Sequence, residues 1–155
     1  MVDASHFIVT PGDINAHIDN SKFPLRGIGA GWASSRDYHA NMHQNLAALY
    51  AARDMCIANM IGALNQIQHG TTTIMDWCHI LKDAEMTNAA VDTLDESGTR
   101  AVFGRGTVKP PVTSDTTPYY KIPFASDGIH RLRTGRFASD DKKLTLAMAI
   151  LDPQL

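Results

Sequence analysis

Val9-Thr10-Pro11-Gly12-Asp13-Ile14-Asn15-Ala16-His17-Ile18-Asp19 reads as a Pro-Gly turn feeding a short strand that delivers metal-ligand side chains at its C-terminal end. Side chains alternate across an extended segment, so residues two apart share a face. His17 and Asp19 are therefore expected side by side, a nitrogen and an oxygen donor that suit zinc, iron or manganese better than a thiolate-seeking metal. The same residues have a plainer reading, a loop histidine followed by an aspartate that opens the turn at Asn20-Ser21.

Outward from this strand, strand and helix signals alternate, the pattern of parallel strands joined by right-handed crossovers. Four strands are expected: Asp13 to His17, Thr71 to Asp76, Arg100 to Arg105, and the nearly unbroken apolar run Leu144 to Leu151. Asp54 opens a helix in which Ile57, Met60, Ile61, Leu64 and Ile67 recur at helical spacing, and that stripe is expected to pack on the sheet, with Gly70 at the C-terminal cap. A second helix runs from about Asp83 to Ser97, places Ala84, Val91 and Leu94 on one side and ends at Gly98. Asp127 to Arg133 reads as a shorter basic helix with His130 on its surface. The Pro-, Thr- and Ser-rich stretch Lys109 to Pro118 reads as a long loop.

The opening Val9-Thr10-Pro11-Gly12 with His17, then Leu25-Arg26-Gly27-Ile28-Gly29, resembles the start of the amidohydrolase superfamily, most closely its cytosine-deaminase and chlorohydrolase-like branch. Further matches follow in order: Asn59-Met60-Ile61-Gly62-Ala63-Leu64, His69-Gly70-Thr71-Thr72-Thr73 with Asp76-Trp77-Cys78-His79, and Gly98-Thr99-Arg100-Ala101-Val102-Phe103. The resemblance implies an α/β chain forming part of a (β/α)8 TIM barrel, about four parallel strands with connecting helices. A complete barrel takes ~250 residues and this chain has 155, so residues 11–155 are expected to form its N-terminal half. Residues 1–10, with Asp3 to Val9, then look like the last strand of the β-sandwich that precedes the barrel, and the chain is expected to be cut on both sides. The family's opening motif is His-x-His, and Asp19 stands where its second histidine belongs.

The resemblance further implies a divalent metal, zinc or iron, held in part by His17 and Asp19, and hydrolysis of a C–N bond in an amino-substituted ring by metal-bound hydroxide. In a barrel the loops after the strands lie on the face that carries chemistry, so His17, Asp19, His79, Arg105, Thr107 and Asp152 are expected toward one face. His79 reads equally as a substrate contact or as a loop histidine bonded to backbone. Trp77 is the neighbouring substrate-side candidate, although Trp32 and Trp77 have the size of core residues. His39 and His43 are four apart, without the glutamate of His-Glu-x-x-His, and are expected on a helix surface. No catalytic residue is assigned within the chain, which alone is expected to be inactive. The alternative is an α/β unit that only self-associates, since open sheet edges pair readily, and a homo-oligomer is expected.

Composition narrows the partners. At 44% hydrophobic and 19% charged residues, with a net charge of −2, there is no electrostatic footprint for nucleic acid or an anionic membrane. No apolar run approaches the ~20 residues that span a bilayer, and a cytoplasmic setting with a small-molecule substrate is expected. Cys56 and Cys78 lack Cys-x-x-Cys spacing and read as free thiols.

Overall fold

The computed structural model describes residues 2–109, 117–124 and 126–150. In chain order it runs β1 (Asp13–Ile18), α1 (Ser35–Tyr38) continuing into a π-type helix (His39–Leu46), α2 (Ala52–Gln68), β2 (Thr71–Cys78), α3 (Ala84–Ser97), β3 (Arg100–Gly106), α4 (Ser126–Thr134) and β4 (Leu144–Ala149). The strands form one sheet in the order β1-β2-β3-β4, every neighbouring pair parallel. Four consecutive parallel strands joined by helices are the architecture of a partial (β/α)8 barrel. All four strands thus form where expected, within a residue or two at their ends. Leu151, Asp152 and residues 110–116 of the expected long loop lie outside the described residues.

Helix boundaries follow local chemistry. The Asp54 carboxylate accepts the Ala51 N–H at 2.9 Å at the start of α2, and that of Asp83 accepts the Met86 N–H at 2.8 Å at the start of α3. Gly98, at φ 74°, supplies the left-handed residue that ends α3. One side of the sheet packs on the helices: Ile74, Cys78, Ala101, Phe103 and Leu144 meet Met55, Ala63, Met86, Ala90 and Leu94. Phe103 and Phe137 stack with centroids 6.2 Å apart.

One expectation fails. The stripe Ile57, Ile61, Leu64 and Ile67 does not pack on the sheet; these residues are 43–49% exposed. The buried face of α2 is instead Met55, Ala58, Asn59, Gly62 and Ala63. Both stripes have helical period, and periodicity cannot choose between them; the small side chains at 58, 62 and 63 admit a close neighbour where isoleucine would not. Over residues 3–9, read as the last strand of a sandwich, no ladder is made with the described strands. A strand needs a ladder partner, and Phe7, Ile8 and Val9 stand exposed without one among the described residues.

Candidate functional site

The site is built on the turn that leaves β1. The strand ends at Ile18 after a register shift against β2 between Asn15 and Ile18, and a 3₁₀ turn (Asn20–Leu25) begins immediately. Asn20 anchors it twice: its backbone N–H donates to Asp76 Oδ1 on β2 at 3.0 Å, and its side-chain amide donates to the Asn59 carbonyl on α2 at 3.0 Å. Asn59 is itself tied to the Ala90 carbonyl of α3 at 3.3 Å. Gly62 makes this seat possible, since a Cβ there would lie 2.1 Å from Asn20 Oδ1.

So anchored, the turn buries Lys22 at 7% exposure. Its ammonium lies 2.9 Å from Asp19 Oδ2, 2.7 Å from the Tyr38 hydroxyl, 2.6 Å from His79 Nε2 and 3.4 Å from His43 Nε2. His79 Nε2 is also 3.1 Å from Asp19 Oδ1, and the His43 and His79 rings meet edge to face at 4.4 Å. An ammonium offers only donors, so imidazole nitrogens that face it must accept, which requires uncharged rings. Burial, reinforced by the Lys22 charge, pushes the His43 pKa down to about 2. Burial also brings His79 down to about 4, against the upward pull of Asp19. For Asp19, burial acts upward, but its contacts with His79 and Lys22 prevail and hold it well below the usual carboxylate range.

A cavity of about 380 Å³ opens beside this cluster, lined by His43, Ala47, Ala48, His79, Ile80, Lys82, Val108 and Lys109. A second hollow of about 330 Å³, with Asp19, Lys22, Arg26, Trp32 and Tyr38 in its wall, lies against the same group of residues.

The expected residues are distributed as follows. Asp19 and His79 come together. The Asp19 carboxylate is held by Lys22, and the His17 ring stacks on half-buried Trp77 with centroids 5.2 Å apart. Arg105 is buried and donates to the Gly106 carbonyl at 2.8 Å, and its guanidinium borders Gly128 of α4, so it serves the helix side rather than the cavity. His130 is exposed as expected. His43 is not a surface residue, as its i+4 spacing from His39 suggested: the π-type turn carries it inward against His79 and Lys22, where it is buried. Both cysteines are free thiols, and burial raises that of Cys78. Lys22, Tyr38 and Lys109 escaped the sequence reading. The one local clue was the i,i+3 spacing of Asp19 and Lys22.

Among the described residues no group of three or more His, Cys, Asp or Glu side chains is placed to hold a metal ion. The Asp19 carboxylate already faces an ammonium at hydrogen-bond distance. The described donors therefore do not fit the zinc or iron ion that the resemblance implies. None of the described helices is long and apolar enough to cross a membrane.

No family model matches the chain, and no curated protein matches it. Among solved structures it is similar to an amidohydrolase from an environmental sample of the Sargasso Sea, with a TM-score of 0.61 and 18% identity over 91% of this chain. The match covers 34% of that protein, so the chain spans about a third of its length. At this identity the likeness is one of fold.

Proposed function

We propose that the chain supplies the first half of the barrel of a hydrolase that cleaves C–N bonds in amino-substituted rings, as in the cytosine-deaminase and chlorohydrolase-like branch. The observation that carries this reading is the position of His79. It follows β2, on the end of the sheet where parallel barrels place their chemistry, and its buried, uncharged imidazole walls the 380 Å³ cavity. That volume falls in the range of small-molecule sites. Ile80, Ala47 and Val108 offer apolar wall for a ring, and with Nε2 accepting from Lys22 the remaining Nδ1–H of a neutral imidazole donates to a ring nitrogen. A zinc or iron ion in the whole protein would need donors beyond Asp19, with His17 as the contribution of this chain. The test is ammonia release from aminopyrimidines, aminopurines and aminotriazines. Turnover by the whole protein that falls about 100-fold in His79→Ala supports the reading; a folded whole protein that turns over none of these rings rejects it.

A second reading, a unit whose activity is self-association, is favoured by one observation: both outer strands carry exposed apolar side chains, Ile14 at 72% on β1 and Met148 at 58% on β4. Open edges with such side chains pair with other chains. Light scattering is expected to give the mass of a dimer or larger species, and Ile14→Lys is expected to shift it toward the monomer. A monomeric mass for the unsubstituted protein ends this reading.

A further inference from the structure

Four nitrogen and oxygen atoms surround Nζ of Lys22: Asp19 Oδ2, the Tyr38 hydroxyl, His79 Nε2 and His43 Nε2. One carboxylate, two imidazoles and a phenol are groups that a transition metal accepts. Their spacing is another matter. They stand 2.6–3.4 Å from Nζ, the reach of hydrogen bonds to nitrogen, whereas a metal bond to nitrogen or oxygen is ~2.0–2.2 Å long.

We infer that the Lys22 ammonium is the resident cation of this site, with Asp19 as its counter-ion rather than a metal ligand. Charge balance agrees. Asp19 and Lys22 cancel, and a divalent ion added beside them would meet the Lys22 charge. The cage also fixes where the charge sits: between the two hollows, so that a ligand in the larger one meets the His43 and His79 rings with the ammonium behind them. This inference goes beyond the hydrolase reading and does not depend on ring turnover.

Lys22→Ala removes three carbons and the ammonium, the atoms of n-propylammonium. Thermal unfolding is therefore measured for the unsubstituted protein, Lys22→Ala and Lys22→Met, each with n-propylammonium chloride, with potassium chloride at equal ionic strength, and with zinc chloride. The expected result is a Tm lowered by more than about 10 °C in Lys22→Ala, of which n-propylammonium restores at least half while potassium and zinc restore none. The unsubstituted protein and Lys22→Met are expected not to respond to the amine. An unchanged Tm in Lys22→Ala, or recovery with zinc and not with the amine, overturns the inference. Should Lys22→Ala not fold, equilibrium dialysis of the unsubstituted protein against zinc decides. Zinc that is bound and then lost in Asp19→Asn overturns it; no bound zinc, or zinc kept in Asp19→Asn and lost in His17→Ala, upholds it.

Discussion

Gly62→Ala is expected to destabilise the protein by about 3 kcal/mol, although alanine is the better helix former by ~1 kcal/mol. The new Cβ would stand 2.1 Å from Asn20 Oδ1, 2.8 Å from its Cγ and 3.1 Å from its backbone oxygen. A flexible tip could swing aside, but this amide is fixed by its bond to the Asn59 carbonyl, and the Asn20 N–H is held by Asp76. Relief therefore means moving the turn off α2. Overpacking of this kind costs ~1–3 kcal/mol, and each buried hydrogen bond lost adds ~1 kcal/mol, which together outweigh the propensity gain. Urea unfolding of Gly62→Ala, Asn20→Gly and the double variant checks the mechanism. The double variant is expected to be no less stable than Asn20→Gly, because the clash disappears with the amide. A Gly62→Ala protein within ~0.5 kcal/mol of the parent would show that the turn does not sit on α2. Since the same turn carries Asp19 and Lys22, the variant also tests whether a backbone contact some distance from the cavity positions the charged cluster.

The parts of the fold legible in the sequence are those set by neighbours in the chain. Asp83 caps α3 through Met86, three residues on, and Gly98 ends it by its own φ. The strands announce themselves as apolar runs between turn residues, and the parallel order follows from the alternation with helices. What was not legible depends on contacts across tens of residues. The isoleucine stripe of α2 and its small-residue stripe have the same period, and the choice between them is made by Asn20 and by α3, neither visible from within the helix. Lys22 shows the same limit more sharply. A lysine in Asn20-Ser21-Lys22-Phe23-Pro24 has every appearance of a surface residue, and it is buried because Tyr38 and His79, 16 and 57 positions away, converge on it.

Asp76→Asn is expected to change stability by an amount that depends on pH, and to gain about 4 kcal/mol on the parent between pH 4 and pH 8. Asp76 is fully buried; its Oδ1 accepts the Asn20 N–H, and Oδ2 has no hydrogen-bond partner among the described residues. Burial pushes its pKa up to about 7 from 3.8, with the Asn20 N–H pulling down and the nearby Asp19 charge pushing up. A carboxyl whose pKa is higher in the folded state binds its proton more tightly there, so its contribution is fully present below about pH 4 and is lost as pH rises through about 7. The span from 3.8 to about 7, at 1.36 kcal/mol per pH unit, gives about 4 kcal/mol. The parent's own profile does not isolate this loss, because His43 and His79 run the other way. Their depressed values mean stability that is present above pH 6.5 and lost as pH falls toward about 2 and about 4 respectively. The difference between variant and parent cancels the histidines, and asparagine keeps an oxygen for the Asn20 N–H. Urea unfolding of both proteins at pH 4, 5, 6, 7 and 8 should therefore show a difference that rises mainly between pH 4 and 7 and then levels. A difference flat across that range would mean that Asp76 stays ionised in the fold, with a cation or water against Oδ2 in place of a proton.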